Sequence, residues 1–124
     1  MKKRPTKRSA PPPAAAVRRG IALGLSAEAA ATLAQLRTPE RIQDFVNDLR
    51  WNHERDGGTA RSVARALAHG EAQCIEGAFV GACALWLAGE PPLLMDMGAA
   101  RGDVDHIDAL FRRGSYWGGI SKSN

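Results

Sequence analysis

Apolar residues in this chain recur at helical spacing up to about residue 88 and at strand spacing after residue 91. Ser26 stands ahead of "AEAAATLAQLR", where Ala-rich spacing and an early Glu28 predict a capped helix running to about Arg37. In "TPERIQDFVNDLRW", Thr38 is a cap, Pro39 takes the first helical position, and Ile42, Phe45, Val46 and Leu49 form one apolar stripe. "NHERDGG" interrupts the pattern. Thr59 is then expected to open a short helix with Val63 and Leu67 inward and Arg61 and Arg65 outward, ending at Gly70. From Gln73 to Ala88 the sequence is apolar all round, which predicts a helix buried on most sides and stopped by Gly89 and Pro91.

Beyond that stop, "PPLLMDM" is a short apolar run, and "DVDHIDALFRRGSYWGGIS" alternates around a Gly-Ser turn as hairpin strands do. Helices followed by antiparallel strands imply an α+β domain: a small sheet of at most three strands packed on a buried central helix. So thin a sheet leaves an edge uncovered and closes the core on one side only.

Charge is unevenly placed. The first twenty residues, "MKKRPTKRSAPPPAAAVRRG", hold seven of the 17 Lys and Arg and no acid. Ten basic residues remain for all 13 acids, so residues 21–124 carry a formal charge of −3 against +4 for the whole chain. Residues 1–20 therefore read as a disordered basic tail and residues 21–124 as one domain. Nucleic-acid binding rests on that tail alone, since residues 21–124 hold no recognition motif or basic aromatic face. No apolar run reaches the roughly 18 residues of a membrane span and no signal-peptide core is present, which leads to the expectation of a cytoplasmic protein with no membrane partner.

The two cysteines differ in position. Nine residues apart on one helix, Cys74 and Cys83 lie about 180° apart around the axis and about 13.5 Å along it, too far to pair. Cys83 sits inside the helix and reads as packing. Cys74 is at its head, where the macrodipole and unpaired N–H groups favour a thiolate and could receive an oxyanion, with Gln73 as a further side-chain donor. The competing reading is a small buried residue. Likewise Glu76, in the first helical turn, is stabilised by the dipole whatever the chemistry.

A thiol nucleophile requires a base. His106, on a predicted strand among Asp103, Asp105 and Asp108, is the best-placed histidine; His53 and His69 suit exposed turns and caps. Val104, His106, Asp108 and Leu110 share one strand face, and Asp105, Ile107, Ala109 and Phe111 the other. A third residue would orient the imidazole. A two-residue turn puts His106 opposite Ser123, a three-residue turn opposite Lys122 and diagonal to Asn124, and a four-residue turn opposite Ser121. His69, Cys74 and an aspartate have no standard metal-ligand spacing, so neither metal nor cofactor is expected.

"CIEGA" at 74–78, "RGDVDH" at 101–106, "ALFRR" at 109–113 and "YWGGISKSN" at 116–124 together resemble an uncharacterised bacterial group of transglutaminase-like proteins, over roughly residues 38–124. The resemblance implies a transglutaminase-like, cysteine-proteinase-like core in which Cys74, His106 and Asn124 form a triad in the order helix, strand, next strand. It also implies acyl transfer at a carboxamide of a peptide or amide substrate. Members of the group continue past the last of these motifs, so the C-terminal part of the fold is expected to be missing here. The alternative is a catalytically inactive relative serving as a binding or scaffold module.

Overall fold

The computed structural model of the chain describes residues 13–98 and 106–123. Five helices come first: α1 (Pro13–Ala22), α2 (Ala27–Ala34), α3 (Pro39–Asp48), α4 (Val63–His69) and α5 (Cys74–Leu87). Two short strands, β1 (Arg50–Trp51) and β2 (Glu71–Ala72), pair in parallel between them. After α5 come β3 (Leu93–Met97), β4 (His106–Arg113) and β5 (Tyr116–Ile120), an antiparallel sheet in the order β3-β4-β5. The expected α+β class and the passage from helices to strands are both present. No helix among the described residues is long and apolar enough to cross a membrane.

Capping chemistry sets most boundaries. Ser26 and Thr38 accept hydrogen bonds from Ala29 N–H (3.1 Å) and Arg41 N–H (3.2 Å), fixing the starts of α2 and α3. Between these helices Arg37 takes a left-handed φ of 65°, uncommon for a residue with a side chain. Ser62, rather than the expected Thr59, caps α4 through Arg65 N–H (3.3 Å). Thr59 is bonded elsewhere, to Asn52 and Glu54, and so is unavailable as a cap. Gly70 ends α4 in the left-handed conformation at φ 67°.

Part of the expected tail is helical. Residues 13–20 belong to α1, whose Ala16 and Gly20 are buried. A side chain at Gly20 would stand 2.7 Å from Ala30 Cβ, so glycine permits the close approach of α1 to α2. Small residues carry this contact, and a composition read for large apolar side chains overlooks it. Residues 1–12 of the expected tail lie outside the described residues.

The core forms where α1 to α4 and the sheet meet α5. Leu33, Ile42, Val46, Val80, Leu85 and Leu87 are fully buried. Along α5, Gly81 accepts Ile120 and Ala109 at distances that leave no room for a Cβ, and Gly77 accepts the stem of Lys122. The sheet therefore lies on a small-residue track of the helix. Past the end of β5 the chain is fastened to α3. The Gln43 amide donates to Ser121 C=O (2.8 Å) and accepts from Ser121 N–H (3.0 Å), while Lys122 Nζ donates to the carbonyls of Asn47 (3.2 Å) and Leu49. Burial lowers the Lys122 pKa from its ordinary value, with Asp48 opposing.

Candidate functional site

The head of α5 is built by a buried carboxylate. Gln73 and Glu76 form a capping box, the Gln73 side chain accepting from Ile75 N–H (2.9 Å) and Glu76 N–H, and Glu76 accepting from Gln73 N–H (3.0 Å). Glu76 is fully buried and also accepts from Asn52 Nδ2 (2.8 Å) and Arg61 N–H (2.8 Å). The largest influence on its pKa is burial, which acts upward. It is outweighed by hydrogen bonds from Asn52, Gln73, Arg61 and Thr59, so the carboxyl is held below its ordinary value. Asn52 also bonds Thr59 (2.9 Å), and Thr59 bonds Glu54 (3.0 Å), so the whole 52–61 loop is tied to the helix head. The β1–β2 pair delivers Asn52 to this position, immediately after Trp51.

Cys74 is the first residue of α5 and is half-buried. The donors expected around it are largely committed. Ile75 and Glu76 N–H point to the Gln73 side chain, and Gly77 N–H to the Gln73 carbonyl (2.8 Å). The Gln73 amide nitrogen, expected as an oxyanion donor, donates to Thr59 C=O at 2.6 Å, and Gln73 is buried. Cys83 is likewise half-buried, and burial pushes its thiol up to about 11.

The direction of β4 carries His106 toward the Cys74 end of α5. Contacts of Gly81 with Ala109 and Ile120 and of Gly77 with Lys122 show that β5 runs antiparallel to α5 and β4 parallel to it. Three strand residues from Ala109 back to His106 and seven helical residues from Gly81 back to Cys74 each span about 10 Å. The side chain lies on the other face. Ala109 meets α5, so His106, three positions away, projects from the opposite face with Asp108. There His106 Nε2 stands 2.8 Å from Asp108 Oδ1, a close contact without the alignment of a hydrogen bond.

The hairpin closes with a two-residue turn at Gly114–Ser115, Gly114 having φ 61°, so the 106-to-123 alignment applies among the turn lengths considered. The paired ladder itself stops at Ala109 and Ile120. Ser121 and Lys122 turn their bonds toward α3, and Asn124, Asp103 and Asp105 lie outside the described residues. His53 and His69 are exposed. Among the described residues no group of three or more His, Cys, Asp and Glu is arranged to hold a metal ion.

Asn52, Thr59, Arg61, Gln43 and Lys122 were not singled out by sequence as parts of this region. The signal present in the sequence is the Gln73-x-x-Glu76 spacing of a capping box, which reading Gln73 as an oxyanion donor and Glu76 as a first-turn acid passed over. In comparisons with known proteins, no family model and no curated sequence matches the chain.

Proposed function

We propose that the chain is a transglutaminase-like thiol enzyme core acting on a peptide or amide carboxamide, with Cys74 as nucleophile and His106 as base. The observation that supports it is that β4 runs parallel to α5, so that Cys74 at the head of the helix and His106 at the start of the strand lie toward the same end. The Cys74 sulfur would attack the carboxamide carbon once the His106 ring, which lies on the far face of β4 beside Asp108, has turned toward α5 to accept the thiol proton. Collapse of the tetrahedral adduct would break the C–N bond, the imidazolium protonating the departing amine and leaving a thioester. Water or an amine would then attack the thioester and restore the thiol.

A second reading has its own support: a non-catalytic module of the same fold, in which the helix head serves only to hold structure. The His106 ring on the far face, held by Asp108, and the internally capped donors at residues 75–77 favour it. Alkylation with iodoacetamide at neutral pH, followed site by site, separates the two. The enzyme reading expects Cys74 to react at least about tenfold faster than Cys83, and His106→Ala to slow Cys74 by about tenfold or more. Equal labelling, or labelling of Cys74 indifferent to His106, assigns the chain to the non-catalytic reading.

A further inference from the structure

At the far end of α5 from Cys74, about 20 Å along the helix, a cleft of about 710 Å³ opens beside the β4–β5 hairpin. Its floor is a strand edge. β3 pairs with β4 only as far as Leu93 opposite Leu110, so Phe111, Arg112 and Arg113 have no β3 partner. Pro91 and Pro92 precede β3, and having no N–H they cannot extend its ladder. In a two-residue hairpin the closing pair, here Arg113 and Tyr116, exchanges its N–H and C=O groups. Alternation then directs the backbone N–H and C=O of Arg112 away from β5 and toward the cleft.

The side chains around this edge are basic and apolar. Arg37, Arg112 and Arg113 line the cleft against the carboxylates of Glu90 and, at the rim, Glu40, and Leu85, Leu93 and Leu110 supply apolar wall. Arg112 is preorganised: its Nε donates to Gly114 C=O (3.0 Å) and its guanidinium lies over the Trp117 ring at 5.4 Å. Both terminal nitrogens of Arg112 are without a hydrogen bond among the described residues. Arg113 is held on the rim by a two-point pair with Glu40.

We infer that this cleft binds a short acidic peptide in extended conformation, one of its residues pairing with the Arg112 backbone, a carboxylate meeting the Arg112 guanidinium and apolar side chains resting on the leucine wall. Arg112 shares its face of β4 with Leu110 and the paired Leu93, so alternate side chains of an extended peptide on that face would meet both the guanidinium and the apolar wall. The guanidinium fork suits a carboxylate, which can accept two parallel N–H bonds from it. The site is independent of the thiol reading and stands or falls separately.

The test is a fluorescence-anisotropy titration of the full chain with a fluorescein-labelled hexapeptide of alternating Glu and Val, blocked at both ends. Saturable binding is expected, weakened about tenfold by Arg112→Ala, an exposed position where the thermal midpoint should hold. It should also weaken by a similar factor when the peptide's alternate amides are N-methylated. The Arg112 amide resonance should shift on titration in an NMR spectrum of the ¹⁵N-labelled chain. Equal binding of a Lys/Val hexapeptide, indifference to N-methylation, an unmoved Arg112 amide, or full competition by free glutarate at equal carboxylate concentration would each overturn the inference. Concentration-dependent self-association that the peptide fails to reverse would also overturn it, by assigning the edge to a second copy of the chain.

Discussion

The helical layer and the sheet both pack on α5, yet they are closed to very different degrees. Leu33, Ile42, Val46 and Leu85 on the helical side are at most 1% exposed, and the polar groups at the helix head find partners in Glu76, Asn52 and Thr59. On the sheet, Leu93, Leu94, Met95 and Met97 are 37–45% exposed and Trp117 is 55% exposed. One side of α5 is therefore finished by its own sequence, while the other is held by a track of two glycines and by the fastening of residues 121–122 to α3. Stability should reside in the helices and at the head of α5, and the sheet should be the part that substitution of its outer residues barely disturbs.

The sharpest test is Glu76→Ala. It strips partners from Asn52 Nδ2 and from the N–H groups of Gln73 and Arg61, and should cost about 3 to 5 kcal/mol in urea unfolding. The pH dependence carries the same information. The folded pKa of Glu76 lies below the ordinary 4.5, so its contribution is complete above that value and is lost as pH falls through the lower folded value. Glu76→Gln should therefore flatten the loss of stability in acid, and an unchanged acid limb would deny the carboxylate its place at the helix head.

Next in size is a pair of truncations that sets the two sides against each other. Leu85→Ala in the closed layer should cost about 3 kcal/mol, whereas Leu94→Ala on the open strand should cost under about 1 kcal/mol. Equal costs would mean that the sheet is as well covered as the helices. Gly77→Ala should cost about 1 to 2 kcal/mol, because displacing Lys122 outweighs the gain in helix propensity; a stabilised variant would show that the fastening is loose. The smallest effect is expected at the exposed Glu40–Arg113 pair. Arg113 holds the Glu40 carboxyl down to about 2, yet Glu40→Gln should leave the urea midpoint unchanged within error at neutral pH.

Sequence disclosed the elements whose cause is local. The starts of α2 and α3, the Gly70 stop, the buried character of α5 and the hairpin at Gly114–Ser115 each follow from a cap, a glycine or a period. What escaped depends on distant chain. The α1 helix requires Ala30 to receive Gly20, and the two-residue β1–β2 pair requires residue 50 to find residue 71. At the candidate site, the axial position of His106 follows from register, but the face it presents depends on which strand parity meets α5. That parity is decided by Ala109 and Ile120 fitting Gly81, a steric match between segments nearly thirty and forty residues apart. Glu76 was visible as a first-turn acid; that it would also gather Asn52 and Arg61 was not.

The clamp of Gln43 on Ser121 has a consequence for exchange kinetics. A side-chain amide that gives and takes one hydrogen bond with a backbone unit imitates a neighbouring strand, so the Ser121 N–H is protected one residue beyond the last strand. Its deuterium uptake should follow the opening of α3, the helix that carries Gln43, rather than the fraying of β5, joining residues 39–48 and 116–122 into one cooperative unit across the chain.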